Sequence, residues 1–185
     1  MKKIMFNDQY GLTKAVLEGR KTMTRRSVNL NRVHTIIPGR IAECYLKYAP
    51  YKVGEVVAVA QSYNALNEAG FVAPEGLDHT CEDSAGYKNK MFVRADLMPY
   101  NIRITAVRVE RLQDISDEDC LREGVDEFVL RKGDGTRRTK YSFKGADNNY
   151  LSPRDAFSAL IDRTSGKGTW MRNPRVFVYE FELVK

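Results

Sequence analysis

NIRITAVRVERL, residues 101–112, is the stretch on which the reading of the fold turns. Ile102, Ile104, Ala106 and Val109 alternate with Arg103, Thr105 and Arg108, the period of a strand with one dry and one wet face. One step of the alternation is imperfect, the mark of a bulge. Such a strand needs partners, and these lie far away in the chain. Val56-Val57-Ala58-Val59-Ala60 is a continuous apolar run of buried-strand type, fed by a Val53-Gly54-Glu55 turn. Arg175 to Val184 carries Val176, Phe177, Val178, Tyr179 and Phe181, a strongly strand-like composition.

Short helices are expected between these strands. Asp8 can cap one whose Leu12, Ala15 and Val16 recur at helical spacing, with Gly19 closing it in the left-handed conformation. Ser116 caps a second, whose Asp117, Glu118 and Asp119 suit the positive end of a helix dipole and whose Gly124 ends the turn. Ser152-Pro153 opens a third, with Phe157, Leu160 and Ile161 as its apolar face. Residues 29–52 are irregular. Two stretches read as loop insertions: residues 64–90, with Gly70, Pro74, Gly76 and Gly86, and residues 127–150, where the basic run from Arg131 to Lys144 reads as a hairpin or flap. Strands paired at long range with short helices between them predict an α+β fold with a small β-barrel rather than a doubly wound sheet. At 185 residues and 43% hydrophobic, the chain is expected to form one domain over 1–185.

Met1 to Phe6 is followed at once by Asn7, Asp8 and Gln9, so no apolar signal region or membrane span is expected, and the chain reads as cytoplasmic. Cys44, Cys81 and Cys120 are far apart. His79 and Cys81 have no second pair at ligand spacing, so neither disulfide, metal nor cofactor is expected, and Cys120 reads as core. The oligomeric state favoured is a monomer. Lys and Arg number 30 against 24 Asp and Glu, a net charge of +6, which suits a polyanionic partner only if the charge is clustered. It is densest in Arg20-Lys21-Thr22-Met23-Thr24-Arg25-Arg26. Arg20, Arg25 and Arg26 can grip phosphate in a two-pronged geometry or form a solvated charged face. Tyr63 and Trp170 are candidates to stack on a base, or else core. Asn7 can bond a base edge or cap the first turn, and Gln61 ends the buried strand.

In pattern the chain resembles the ASCH family of the PUA-like class. The carriers are Phe6-Asn7-Asp8, Gly19 to Arg26, Val53-Gly54-Glu55, Arg103-Ile104 to Val109-Glu110-Arg111-Leu112, Ile115 to Gly124, and Trp170 with Asn173-Pro174. The blocks keep the family's order over nearly the whole chain. The resemblance implies a PUA-like small β-barrel flanked by short helices, and a basic cleft that takes RNA or a modified nucleoside. Small bacterial members hydrolyse N4-acetylcytidine with a lysine, a threonine and a glutamate, and others are described as ribonucleases. Carried over by position, the lysine is Lys21, the threonine Thr24 and the glutamate Glu123. Amide hydrolysis by this set requires a neutral Lys21, reached by burial or by the neighbouring arginines, while Glu123 pulls toward the charged form. Lys21 and Thr24 meet only if the chain turns after Gly19. The bland reading makes Lys21 and Glu123 an ion pair that ties the motif to a helix. The chain departs from longer relatives at Ala60-Gln61, where many carry Arg-Glu. That departure keeps open an interaction module of mobile-element origin that does no chemistry.

Overall fold

The strand at 101–112 forms as its alternation requires, and it pairs along its whole length with the last strand of the chain. The computed structural model describes residues 1–29, 37–71, 82–131, 133 and 135–184. In chain order the elements are β1 (Lys3–Ile4), α1 (Leu12–Leu17), β2 (Met23–Ser27), α2 (Ile41–Leu46), β3 (Val56–Val59), α3 (Tyr63–Glu68), α4 (Ala85–Lys88), β4 (Asn101–Arg111), α5 (Asp117–Arg122), β5 (Asp126–Arg131), β6 (Arg137–Ser142), α6 (Pro153–Ser165), α7 (Thr169–Arg172) and β7 (Arg175–Val184). β4 and β7 run antiparallel from Asn101↔Val184 to Arg111↔Arg175, and their register shifts between Ile104 and Ala106, at the imperfect step.

Five strands form one sheet in the order β1-β3-β4-β7-β2, and β5 and β6 form a separate hairpin. The class is α+β. β1 and β2 are the two edges, and among the described residues no strand pair closes the sheet into a barrel. The dry face carries the core: Val57, Ile102, Ile104 and Tyr179 are fully buried and pack with Val16 of α1 and Ala156, Phe157 and Leu160 of α6. Among the described residues no helix is long and apolar enough to cross a membrane.

Local chemistry explains the helix ends. Ser116 Oγ accepts from Asp119 N–H and Ser152 Oγ from Asp155 N–H, with Pro153 in the first turn of α6, as the cap residues imply. α1 differs from expectation. Its N-cap is Gly11, with no side-chain cap bond, because Asp8 is held elsewhere by the Thr13 hydroxyl and by Lys90 Nζ at 2.7 Å. The irregular region 29–52 contains α2, and the 64–90 insertion is helical at both ends, α3 being capped by Ser62. Isolated short helices are invisible to periodicity because a single turn and a half buries too few residues to show a pattern. The 127–150 insertion is the β5–β6 hairpin, whose end is tied back by a Tyr141↔Tyr150 bridge.

Candidate active site

A pocket of about 280 Å³ opens beside the edge strand β2. The segment Met5 to Asn7 forms one side, Thr24 to Ser27 another, and α6 supplies Phe157, Leu160, Ile161, Thr164 and Ser165, with Lys21 and Glu123 also in its lining. The turn needed after Gly19 is present. Gly19 takes φ 73, and the N–H groups of Arg20 and Lys21 both donate to Ala15 O at 2.9 Å, which aims Lys21 inward rather than along the strand.

Glu123 comes from the opposite direction, as the C-cap of α5. Gly124 follows with φ 103, and a Cβ there would lie 3.0 Å from Leu12 Cδ2 and 3.6 Å from Lys21 Cδ. Only glycine allows both that conformation and the passage of the lysine stem. Lys21 Nζ donates to the Glu123 backbone O and to Oε2, each at 2.6 Å. The two side chains are 2% and 5% exposed.

Burial holds the Lys21 pKa below its ordinary value; Glu123 opposes this, and Arg26 and Arg25 add to the lowering. Glu123 is a weakened counter-ion because Arg25 shares it, Nη1 donating to Oε1 at 3.2 Å. Arg25 is fully buried and also binds Glu110 Oε1 at 2.6 Å and Asp119 Oδ2 at 2.9 Å. Arg108 and Arg122 complete the cluster, sharing Asp119 and Glu180. Glu110, Asp119, Glu123 and Glu180 thus face Arg25, Arg108 and Arg122, and Arg26, which feels the Glu123 charge, makes a fourth cation. A neutral Lys21 balances this group; a charged one leaves it with an excess positive charge in a buried place.

Thr24 is 4% exposed and lines the same pocket, yet no hydrogen bond joins it to Lys21. Arg26 donates through Nη2 to Met5 O, sits 5.6 Å from the Phe6 ring centroid, and keeps a buried Nε–H with no partner among the described residues. Asn7 caps the first turn, its Oδ1 accepting from Tyr10 N–H at 3.3 Å, and lines the pocket as well.

Other sequence candidates lie elsewhere. Arg20 is on the outer side, paired with Glu18 and with Asp126 at 2.9 Å. The Arg25 guanidinium is spent on three carboxylates and is not available to phosphate. Gln61 is buried at the end of β3 and lines a different cavity, beside Thr13, Lys14 and Lys144. Tyr63 packs against Gly86, where a Cβ would meet its ring at 2.4 Å. Trp170 is half-buried against the edge of the core, edge-on to Phe157 with centroids 6.1 Å apart and under Arg154 at 5.2 Å, and it does not line the pocket. His79 and Cys81 lie outside the described residues. Cys120 is buried and its thiol is pushed up to about 12 by burial, which makes it inert as a nucleophile. What the motif reading missed is the α6 wall and the pair Glu110 and Asp119. The first had a signal in the apolar face of α6; the second had none, since distant carboxylates carry no mark of the arginine they meet.

Compared with family models, with curated proteins and with solved structures, the chain matches none.

Proposed function

We propose that the chain is an ASCH-type protein of the PUA-like class that binds a modified nucleoside in this pocket and hydrolyses the acyl amide of an N4-acylated cytidine. The observation that carries the reading is the setting of Lys21, a fully buried lysine that lines the same pocket as Thr24 and Glu123. A neutral amine has two N–H groups and one lone pair, and Nζ has two acceptors, the Glu123 carbonyl and Oε2. Both donors are used, and the lone pair remains for a proton. An ammonium would carry a third donor with no oxygen or nitrogen acceptor among the described residues, only the Phe6 ring with its centroid 5.8 Å from Nζ.

Thr24 then has a base. Lys21 takes the hydroxyl proton, Oγ attacks the acyl carbonyl carbon, and the C–N4 bond breaks as the lysine returns the proton to N4. Cytidine leaves, and water then hydrolyses the Thr24 ester with Lys21 again as base, releasing the carboxylic acid and restoring the threonine hydroxyl. The partnerless Arg26 Nε–H suits the charge that develops on the acyl oxygen. The pocket's volume is just below the roughly 300–1,000 Å³ of small-molecule sites, which fits one nucleoside and not a stretch of RNA. The barrel belongs to the same proposal: Phe6 beyond β1 meets Phe181 of β7 at 5.7 Å, and Arg26 of β2 bonds Met5, so the two edges of the open sheet curl toward each other. The test is incubation of purified protein with N4-acetylcytidine, followed by chromatography; cytidine release is expected, and its absence at high protein concentration would remove the hydrolase.

One observation favours RNA as the carrier of the base. Arg131, Arg137 and Arg138 on the β5–β6 hairpin are exposed and make no ion pair among the described residues. Arg137→Glu with Arg138→Glu is therefore expected to weaken RNA binding and flatten its salt dependence by about two charges, leaving turnover of the free nucleoside unchanged. Titration at several salt concentrations reads the slope directly.

A further inference from the structure

Four consecutive residues, Thr24, Arg25, Arg26 and Ser27, line the pocket. Side chains on a strand alternate between faces, so a cavity that touches four in a row meets the strand along its edge. Among the described residues β2 is an edge strand, paired only with β7.

The register says which backbone groups face that edge. Phe181 N–H donates to Thr22 O and Val28 N–H to Arg175 O, both on directly opposed pairs of the same ladder. The hydrogen-bonded pairs are therefore those of Thr22, Thr24, Arg26 and Val28, whose N–H and C=O point at β7. Arg25 and Ser27 point theirs away, at the open side. The Arg25 side chain is fully buried, so the 5% of the residue that remains exposed is main chain, and its outward donor and acceptor open onto the pocket with no strand to pair them among the described residues. Ser27 is exposed at the rim.

We propose that the outward N–H and C=O of Arg25 read the nucleobase, as a further strand would read an open sheet edge. An extended residue presents donor and acceptor side by side. A cytosine, acylated on N4 or not, presents acceptor N3 beside the N4–H donor, the complementary pair. The N–H of Arg25 donates to N3, and N4–H donates to Arg25 O. That contact sets the acyl-bearing nitrogen beside Thr24 and selects for a base with an adjacent acceptor and donor. It also gives the buried ion cluster a second purpose, since the guanidinium that anchors Arg25 on three carboxylates fixes the backbone that reads the base.

This inference rests on the proposed nucleoside site, and the product cytidine is a suitable probe because it is not consumed. In titrations followed by amide NMR, the Arg25 N–H is expected to shift downfield and exchange more slowly with solvent as cytidine binds. The N–H groups of Thr24 and Arg26, already bonded to β7, are expected to keep their exchange rates. N4,N4-dimethylcytidine, which lacks the donor, is expected to bind about fivefold or more weakly. Cytidine binding with the Arg25 amide unmoved, or equal affinity for the dimethyl compound, overturns edge reading while leaving the pocket its ligand. No binding of cytidine at all overturns both.

Discussion

Lys21→Met is expected to cut cytidine release from N4-acetylcytidine by about 10²–10⁴-fold while leaving the protein at least as stable as the wild type. The two halves of this result come from one fact. Lys21 is buried so completely that its charged form is disfavoured, and its only ionic partner among the described residues is shared with Arg25. Removing such an amine removes a base, but it strands no charge, because Glu123 keeps Arg25 at 3.2 Å. An apolar side chain of similar length fills the same channel past Gly124, and replacing a buried polar group by a packed apolar one is often neutral. If instead the pair is a structural ion pair, the variant loses several kcal/mol and whatever activity exists survives in the folded fraction. Urea unfolding beside the chromatographic assay separates the two.

The pH dependence follows with a definite sign. With its folded pKa lowered, Lys21 gives up its proton in the native chain at a pH where the unfolded chain, near 10.5, still holds it. Between those two values the unfolded state binds more protons, so this group makes stability rise with pH; below the folded pKa its contribution is at its most unfavourable. The difference in stability between wild type and Lys21→Met isolates that rise from the tyrosines that also titrate in alkali. Turnover should climb with pH through the same lowered pKa and level off well before an ordinary lysine would.

Much of the frame could be read from the chain because it is written in local chemistry. The alternation of residues 101–112, the apolar run at 56–60 and the aromatic strand at 175–184 each state a period and a composition, and Ser116 and Ser152 state a helix start. The same locality explains the gaps. α2 and α3 are too short to show a period, and Asp8 has the chemistry of a cap but found Thr13 and Lys90 instead. In the site, the motif pointed to Lys21, Thr24 and Glu123, and all three line one pocket. It gave no means of sorting the arginines beside them. Which of Arg20, Arg25 and Arg26 faces solvent, carboxylates or pocket depends on strand parity and on residues about 85 to 100 positions away. Tyr63 and Trp170 illustrate the same limit, since an aromatic in a polar neighbourhood of sequence can have one face engaged in packing.

Arg25→Met should be the most damaging substitution in the basic motif, costing about 3–5 kcal/mol. Its guanidinium has no contact with solvent and satisfies Glu110, Asp119 and Glu123 together. Without it, three carboxylates remain in partly or fully buried positions. Arg108, from a side chain 39% exposed, is left to hold Glu110 and to share Asp119 with Arg122, and Glu123 keeps its ion pair with Lys21. For a chain of this size the loss corresponds to a fall in melting temperature of roughly 6–20 °C. Arg25→Lys is expected to recover little, because one ammonium cannot reproduce a planar fork that reaches three carboxylates on two sides. Arg20→Ala is the contrasting case: its pairs with Glu18 and Asp126 lie half in water, so its cost should stay within about 0.5 kcal/mol. A thermal melt of the three variants thus orders the arginines by burial, and an Arg25→Met protein that melts with the wild type would show the cluster to be dispensable. Loss of Arg25 also removes the guanidinium bonded to Glu123 Oε1 and a positive charge beside Lys21, which strengthens the carboxylate's hold on the lysine and raises the lysine's pKa. Whatever fraction of Arg25→Met stays folded should therefore reach its turnover plateau at a higher pH than the wild type, a shift that loss of folding alone does not produce.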